Sequence, residues 1–494
     1  MGRPGYPRGA PLTSPIGFAQ MPDIDALSRP RRLLVLSICC MSLLIVSLDV
    51  TALNVALPSL ERELGADVSG LQWTVDIYTV VLASFLMLSG STADRVGRRR
   101  VFKTGLVLFV AGSLLCALAP SLGWLIAFRA FQAIGGSMLN PVAMSIITNT
   151  FRDPRELARA IGVWGGVVGI SMALGPILGG ALVASFGWRA IFWLNIPIGL
   201  AALVLTTRYV PESRAAHPRR LDVVGQLLVI VLLGSLTFGI IEGGHDGWGS
   251  PLLLICFGIA IAALACLLWY EPRRKEPLLE LRFFRSAPFS GAFAMALAAF
   301  AGLGGFLFLN TLYLQNERGL GAFDAGLHLL PMAAMTLVFA PLSGYLVSHV
   351  GPRLPVLLSG VAITVGGVLL TGLTRDTSLA YLFSAYVTFG IGFGLVNAPI
   401  TNTAVTGMPR SQSGVAAGIA STGRQVGSAL GVAVVGTVLG TSSRDTGWWV
   451  LAGCGALVLL IGLLTTGRGA RRTAESAMAR IAEEDAAERA RSAE

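Results

Sequence analysis

Long apolar runs occupy most of this 494-residue chain, and they restrict the folds open to it. A helix needs about 20 mostly apolar residues to cross a bilayer. Transmembrane strands would instead give short segments of alternating polarity, whereas these runs are continuous. The sequence therefore predicts an all-α integral membrane protein with fourteen transmembrane helices, at about residues 33–57, 71–92, 101–119, 122–147, 158–184, 189–209, 222–242, 250–270, 287–315, 323–349, 354–373, 378–404, 412–440 and 446–467.

The composition supports a membrane protein and argues against other classes. Apolar residues make up 54% of the chain and charged residues 13%, with a mean hydropathy of +0.70. A soluble globular protein has roughly 25% charged residues. The net charge of +10 is spread over many short loops, so we expect a lipid bilayer and not nucleic acid as the partner. The six cysteines lie in apolar runs without metal-ligand spacing, so we predict no metal and no other cofactor.

The distribution of Lys and Arg predicts the orientation. If the N-terminus is inside, thirty of these residues fall on the cytoplasmic side and five on the outer side. Cytoplasmic loops carry an excess of positive charge. We therefore expect a multi-pass protein of the cytoplasmic (inner) membrane with both termini in the cytoplasm. The first apolar run is too long for the core of a cleavable signal peptide.

An internal repeat divides the chain into two similar halves. Residues 51–71 and 307–327 match at an interval of 256, so that Asn54 corresponds to Asn310. Parallel halves of a transporter usually enclose the pathway between them. The repeat predicts a cytoplasmic N-terminal segment (1–32), a six-helix bundle (33–210), a linker with two extra transmembrane helices (211–286), a second six-helix bundle (287–467), and a solvated, partly helical cytoplasmic tail (468–494).

A charged loop follows the second apolar run and contains Gly90, Asp94, Arg95, Gly97 and Arg98. Gly97 permits a tight reversal between two helices. Asp94 is expected near the start of the third span, where the helix dipole favours a carboxylate. The loop resembles the signature loop of the major facilitator superfamily, which implies a cytoplasmic latch that stabilises the outward-facing, closed gate. The alternative is a charged turn that only obeys the positive-inside rule.

Small residues recur every three or four positions in the fifth span, so they form one helix face that lets a neighbouring helix approach closely. The proline in this face should kink the helix. The string ALGPILGG at 173–180 resembles the antiporter motif of drug:proton exchangers in the same superfamily, although Ser171 stands where that motif has glycine. The alternative is general helix packing. The motif residues are Gly162, Gly175, Pro176, Gly179 and Gly180.

The first span contains Asp49 about eight residues from its outer end, which places this carboxylate roughly 12 Å deep. The string from Leu48 to Pro58 resembles the first-helix motif of the fourteen-span drug:proton antiporters, and residues 188–199 (WRAIFWLNIPIG) resemble their sixth-span motif. The resemblance covers about residues 33–467. It implies the major facilitator fold, with two six-helix bundles and two inserted helices.

Charged and polar residues inside the spans are the candidates for the site, because a charge in the membrane interior needs a partner or a function. The superfamily resemblance links Arg129 to proton coupling. A contact between Asp49 and Arg129 is expected, with a static structural ion pair as the alternative. The proton-coupling candidates are Asp49, Arg129 and Asp76, and the substrate-cavity candidates are Asn54, Gln132, Asn310 and Arg424.

Together these features predict a transporter and not an enzyme, since no nucleophile or metal set lies near an interface. The expected activity is proton-coupled antiport that exports amphipathic small molecules, such as drugs, antibiotics or lipophilic cations. The partners are then a small-molecule substrate, protons and the bilayer, and the family resemblance implies a monomer. An exporter dedicated to one natural product or lipid is the main alternative, and a proton-coupled importer is a further one. The sequence leaves open the substrate, the stoichiometry and which acid is protonated first.

Overall fold

The computed structural model describes residues 28–151, 153–215, 221–274, 276–406, 408, 413–441, 444–467, 469–470, 472–477, 479–481 and 483. Regular structure in these ranges is helical throughout, as predicted. The long helices are α1 (Arg29–Leu64), α2 (Val68–Val96), α3 (Arg98–Ala117), α4 (Leu122–Thr150), α5 (Pro154–Phe186), α6 (Arg189–Tyr209), α7 (Val223–Asp246), α8 (Pro251–Tyr270), α9 (Ala287–Leu312), α10 (Ala322–His328), α11 (Leu330–Val350), α12 (Arg353–Leu370), α13 (Leu379–Val405), α14 (Ser413–Thr441) and α15 (Arg444–Thr465).

Within the described residues, thirteen helical segments are long and apolar enough to cross a membrane, with α10 and α11 counted as one. This confirms a helical multi-pass membrane protein. The helix α14 is not among the thirteen, because Arg424 and Gln425 lower its hydropathy. It nevertheless packs along α9 and α2 inside the bundle.

The apolar core is divided according to the halves of the chain. One cluster of buried side chains comes from helices α1 to α6 and the residue just after α6. It includes Tyr78 and Phe109. A second cluster comes from α9 to α15 and includes Phe306 and Trp448. A third joins α1 to α6 with α9, α10 and α14, where Phe308 packs with residues of α1 and α6. The two bundles therefore have their own cores and share a contact.

The helices α7 and α8 pack on each other and cover the seam between α2 and α14. Gln226 of α7 donates to the carbonyl oxygen of Ser84 in α2 at 2.6 Å. Thr437 of α14 donates to the carbonyl oxygen of Ile240 in α7 at 2.7 Å. The inserted pair is thus bonded to both halves of the molecule.

The tenth predicted span, 323–349, is found as α10 and α11, which are separated by a single turn residue at Leu329. Pro331 has no backbone N–H and its ring would clash with the preceding helical turn. The backbone of Leu329 instead donates to Gly326 at 3.2 Å. The span therefore lies at the predicted position, with one local break in its helix.

The tail differs from the predicted solvated extension. Its described residues are helical, but one face is buried, with Ile481 only 1% exposed. Ile481 joins a cluster with Phe283 and Phe289 at the start of α9. Thr473 accepts a hydrogen bond from the backbone of Ala287 at 3.1 Å. The tail is packed on the second bundle and is not simply solvated.

Side-chain hydrogen bonds join the two bundles at one end of the molecule. We call the end that holds the α1–α2 turn the Glu63 end, and the end that holds the α2–α3 turn the Asp94 end. At the Glu63 end, Gln315 donates to the carbonyl oxygen of Val55 at 2.8 Å and Asn316 donates to Glu61 at 3.0 Å. These bonds close that end of the gap between the bundles.

Toward the Asp94 end, glycines of α5 and α11 have open space beside them. A β-carbon built on Gly162 or Gly166 of α5, or on Gly344 of α11, would have no atom of the described residues within 4 Å. The gap between α5 and α11 therefore widens toward the Asp94 end.

Candidate functional site

Asp49 of α1 lies at the centre of a buried polar cluster in the first bundle. Its side chain is 0% exposed and that of Arg129 in α4 is 1% exposed. Arg129 Nη1 donates to Asp49 Oδ2. Asp49 Oδ1 accepts from Gln132 Nε2 at 3.0 Å and from Asn195 Nδ2 at 2.7 Å. Three donors from α4 and α6 thus hold one carboxylate of α1.

The arginine of this cluster is held from several directions. Arg129 Nη1 also donates to Gln132 Oε1 at 2.8 Å, and Arg129 Nε donates to the carbonyl oxygen of Thr74 at 3.3 Å. The guanidinium carbon stands 4.2 Å from the centre of the Tyr78 ring. A cation over an aromatic face is stabilised by the ring quadrupole. Gln132 is bonded in turn to Ser113 of α3 at 2.8 Å. Five helices of the first bundle therefore meet at this cluster.

The chemistry of the cluster follows from its pairing. A buried ion pair with full hydrogen bonding is tolerated in a low-dielectric interior, whereas removal of one partner leaves an uncompensated charge that costs about 3–5 kcal/mol. Neutralising Asp49 by a proton would likewise leave the Arg129 charge in need of another partner. The arrangement can therefore act as a static brace or as a proton-controlled switch.

Asp76 of α2 does not join the Asp49 cluster. Its side chain is 0% exposed, and neither carboxylate oxygen has a hydrogen-bond partner among the described residues. Gln72 and Val80, one helical turn on either side, both face α14: Gln72 donates to the carbonyl oxygen of Ala433 at 2.7 Å, and Val80 packs in a cluster with Ala429. Asp76 thus lies on the side of α2 that meets the second bundle.

The two asparagines related by the repeat are both enclosed by protein. Asn54 donates to the carbonyl oxygen of Val50 in its own helix at 2.8 Å, and its Oδ1 is buried without a partner in the part of the chain that the structure describes. Asn310 accepts a hydrogen bond from Tyr386. Neither is bonded to the Asp49 cluster. Of the residues predicted to line a substrate cavity, the structure brings only Gln132 to the proton-coupling candidates.

Arg424 lies apart from the other membrane-embedded charges. Its Nη2 donates to Thr401 Oγ1 of α13 at 2.6 Å, and its Nε is buried without a partner among the described residues. No ion pair to Arg424 is found in the ranges that the structure covers. Its side chain is partly exposed, as is its hydrogen bond to Thr401.

The predicted latch loop is hydrogen-bonded to the segment that follows α6. Gly97, with φ of +124°, alone connects α2 to α3, so Asp94 lies in the last turn of α2, beside the start of α3 at Arg98. Arg98 donates to Asp94 at 2.8 Å and 3.1 Å. Glu212 accepts from the backbone of Arg99 at 3.0 Å. Arg95 is exposed, and Gly90 has only Pro141 at 4.0 Å from a β-carbon placed on it.

The small residues of α5 form close contacts toward the Glu63 end only. A β-carbon on Gly175 would lie 1.8 Å from Thr51 Oγ1, and one on Gly179 would lie 2.7 Å from the Ala52 β-carbon, both in α1. Gly180 meets the backbone of α10 instead. The carbonyl group of Pro176 lies against Gly326 of α10, where a β-carbon would be 2.3 Å from its oxygen. This face therefore joins α5 to both bundles, while Gly162 has open space beside it.

Sequence reasoning missed three members of the Asp49 cluster. Asn195 lies in the sixth-span motif, and its place in that motif could have identified it as a candidate site residue. Ser113 and Tyr78 gave no signal, since a single serine or tyrosine in an apolar run is unremarkable. Only the rotation of the helices about their axes brings them to Asp49 and Arg129.

Comparisons with known proteins agree with this architecture. The profile of the Major Facilitator Superfamily matches residues 39–432. A solved peptide transporter (POT, a mutant form in complex with sulfate) superposes with a TM-score of 0.64 at 15% identity, over 87% of this chain and 93% of that one. A bacterial homolog of the human lysosomal transporter Spinster gives a TM-score of 0.60 at 18% identity, over 92% and 99%. At these identities the likeness shows the fold alone.

Closer relatives are found among curated proteins. The chain is 37% identical to the multidrug resistance protein Stp of Mycobacterium tuberculosis over 408 residues, which are 83% of this chain and 76% of Stp. It is 36% identical to the tetracenomycin C resistance and export protein of Streptomyces glaucescens over 434 residues, 87% and 80% of the two chains. The multidrug efflux pump LfrA of Mycolicibacterium smegmatis is 31% identical over 82% of this chain and 80% of LfrA. The chain belongs to the Major Facilitator Superfamily, and these relatives are named as multidrug or antibiotic resistance and efflux proteins.

Proposed function

We propose that this protein is a proton-coupled antiporter that exports amphipathic small molecules across the cytoplasmic membrane by alternating access. The observation that carries the proposal is the buried Asp49–Arg129 pair, in which a carboxylate and a guanidinium are held by uncharged donors inside a membrane helix bundle. Buried ionisable groups of this kind mark proton or substrate pathways in membrane proteins. The names of the relatives support export as the direction.

The proposed topology has fourteen spans, in which α10 and α11 form one span and α14 is the span that hydropathy does not identify. Both termini are cytoplasmic, because the Lys and Arg residues concentrate on that side. The Asp94 end is then the cytoplasmic end. In this orientation the gap between the bundles opens toward the cytoplasm, from which an exporter takes its cargo.

The proposed cycle uses the contacts at the Glu63 end as the gate that must part. The bundles rock about a central site and expose it to each side in turn. Gly180 and Gly326 let α5 and α10 approach at this gate. The loop from Asp94 to Arg98 is the proposed latch for the opposite, outward-facing state.

Protonation of Asp49 is the proposed coupling step. A proton from the outer side neutralises Asp49 and weakens its hold on Arg129, which is then free to take a new partner as the bundles move. Asp76 is proposed as a second proton-carrying group, because a carboxylate without donors is stable in a dry site only in its neutral form. Both steps bias the same two conformations, as coupled exchange requires.

Everted membrane vesicles from a bacterium without its main efflux pumps provide the test. Respiration acidifies the vesicle lumen and quenches acridine orange. Addition of ethidium, or of tetracenomycin C from the name of one relative, should release protons and restore fluorescence in vesicles with the wild-type protein. Asp49→Asn should abolish this recovery, and Asp76→Asn should reduce it without lowering the thermal unfolding midpoint, since no hydrogen bond is lost.

The matched control is Asp376→Asn, which removes an exposed carboxylate in the loop before α13. This variant should behave as the wild type. Full recovery of fluorescence with Asp49→Asn would remove Asp49 from the coupling step. Cargo-driven quenching in place of recovery would indicate symport and therefore import.

A dedicated exporter of one natural product is the second candidate. Relatives named for tetracenomycin C and for methylenomycin A resistance, at 36% and 35% identity, favour it. The same vesicles distinguish the two functions: a multidrug exporter responds to several unrelated compounds, whereas a dedicated one responds to a single chemical family.

A further inference from the structure

We propose that Arg424 recognises an acidic group on the cargo, so that the preferred substrates are amphipathic organic anions such as carboxylates. This inference rests on the proposed export function and narrows its substrate class. It follows from the placement of the charged side chains that lie deep within the described helices, which are Asp49, Asp76, Arg129 and Arg424.

Three of these charged side chains are buried and therefore inaccessible to cargo. Asp49 and Arg129 are 0% and 1% exposed and are paired with each other. Asp76 is 0% exposed and faces α14 from within the helix interface. An organic cation that enters the gap between the bundles therefore meets no accessible embedded carboxylate in the part of the chain that the structure describes.

Arg424 differs from all three in its exposure, and it differs from Asp49 and Arg129 in having no ion pair among the described residues. Its side chain is partly exposed, and its described contacts are one hydrogen bond to the exposed Thr401 and no ion pair. The Nε–H is buried and has no acceptor among the described residues, so the guanidinium keeps unused hydrogen-bonding capacity. Thr401 accepts from Nη2 and so fixes the plane of the guanidinium.

The position of Arg424 suits a cargo site. An exposed polar pair deep in a membrane helix is expected to face water in the gap, because hydrocarbon cannot accept its hydrogen bonds. Val426, half a turn further along α14, contacts the apolar group of Val80 and Ala83 on α2 in the first bundle. Arg424 lies before this contact on the side of the Asp94 end, toward which the gap between α5 and α11 widens.

Arginine is well suited to this role. Its guanidinium stays charged and presents paired N–H groups that match a carboxylate or phosphate oxygen pair. A hydrogen bond between charged groups is worth about 1.5–3 kcal/mol, or roughly tenfold to a hundredfold in affinity. The same charge repels a cationic head group, so selectivity should depend on the sign of the cargo charge.

Three probes with one apolar body test the proposal: 1-pyrenebutyrate, its methyl ester, and (1-pyrenebutyl)trimethylammonium. Initial uptake into respiring everted vesicles is measured for each, after subtraction of uptake into vesicles without the protein. We expect kcat/KM for the acid to exceed that for the ester and the cation by about tenfold in the wild type. Arg424→Gln should lower the value for the acid by about tenfold and leave the ester unchanged.

Two further variants separate recognition from folding. Arg424→Lys keeps the charge and should retain part of the preference for the acid. Arg375→Gln removes an exposed arginine in the loop before α13 and should leave all three rates unchanged. The amount and elution volume of each variant in size-exclusion chromatography report its folding.

The outcomes distinguish this inference from the proposed function. Uptake that is driven by the pH gradient but is fastest for the cation or the ester overturns the inference and leaves the antiporter intact. An equal fall for all three probes with well-folded Arg424→Gln assigns Arg424 to the conformational change, which also overturns it. Absence of gradient-driven uptake for every probe, and for ethidium and tetracenomycin C, overturns both.

Discussion

Gly180 of α5 and Ala322 of α10 are so close that a β-carbon placed on Gly180 would lie 2.4 Å from the carbonyl oxygen of Ala322. The atom that blocks it is backbone, so it cannot move aside as a flexible side chain would. The contact joins the first bundle to the second at the Glu63 end. Because the contact is so close, any side chain added at position 180 should disfavour the closed state of that end.

Gly180→Ala should therefore shift the conformational equilibrium away from the state that is closed at the Glu63 end. Cysteines introduced at Glu61 and Asn316, whose side chains are hydrogen-bonded at 3.0 Å, report closure through disulfide formation under mild oxidation. We expect the rate of cross-linking to fall severalfold when Gly180→Ala is added.

Gly165→Ala is the matched control, because it makes the same change in the same helix where no described atom lies within 4 Å of the added carbon. The gain in helix propensity from glycine to alanine is shared by both variants. Equal cross-linking in the two variants would show that the Gly180 contact does not limit closure.

The Asp49–Arg129 pair predicts a non-additive effect on stability. Arg129→Gln leaves the buried Asp49 carboxylate with only the neutral donors Gln132 and Asn195, and should lower stability by about 3–5 kcal/mol. The double variant with Asp49→Asn removes both charges and should be more stable than Arg129→Gln alone. Thermal unfolding midpoints in one detergent provide the comparison. A double variant as unstable as the sum of the single variants would mean that the pair is not coupled.

The sequence could predict much of this site, because depth in an apolar run is visible without a structure. It located Asp49 and Arg129 at similar depth in α1 and α4, and the structure places them in contact. It could not predict the rotation of each helix, which directs Asp76 toward α14 and brings Ser113 and Asn195 to Asp49. Depth and periodicity say how far a residue lies along a helix but not which neighbour its side chain meets.

For the fold, too, some features could be predicted from the sequence and others could not. Apolar runs predicted the helices to within a few residues at most ends. The break at Leu329 was missed because one proline in a long apolar run also fits a kinked continuous helix. The packed tail was missed because Ile481 and three alanines form a weak apolar pattern, and its meaning depends on Phe283 and Phe289 far away in the chain.

Gly97 predicts a stability effect at the latch loop. Its φ of +124° is unfavourable for residues with a β-carbon, and such a carbon would also lie 2.6 Å from Glu212 Oε1. Gly97→Ala should lower stability by about 1–3 kcal/mol. Gly187→Ala is the control, because that glycine has φ of +79° but no described atom within 4 Å. The Gly97 variant should have the lower thermal midpoint, and the reverse order would show that Glu212 gives way freely.

Ile481 predicts that the tail is held on the second bundle by an apolar contact. Its side chain is 1% exposed in a cluster with Phe283, Phe289 and Ile419. Ile481→Asp would place a charge among these apolar groups without a partner, and the cheaper outcome is that the tail dissociates.

Trypsin measures this release at Arg472, an exposed residue of the tail that adjoins neither substituted position. Cleavage should be at least severalfold faster in Ile481→Asp than in Ala479→Asp, which adds the same charge at an exposed position two residues earlier. Because the comparison holds net charge and cleavage site constant, a difference in rate reports burial of Ile481 and not electrostatic attraction of the protease. Similar rates in the two variants would mean that the tail is already free in the membrane-embedded protein.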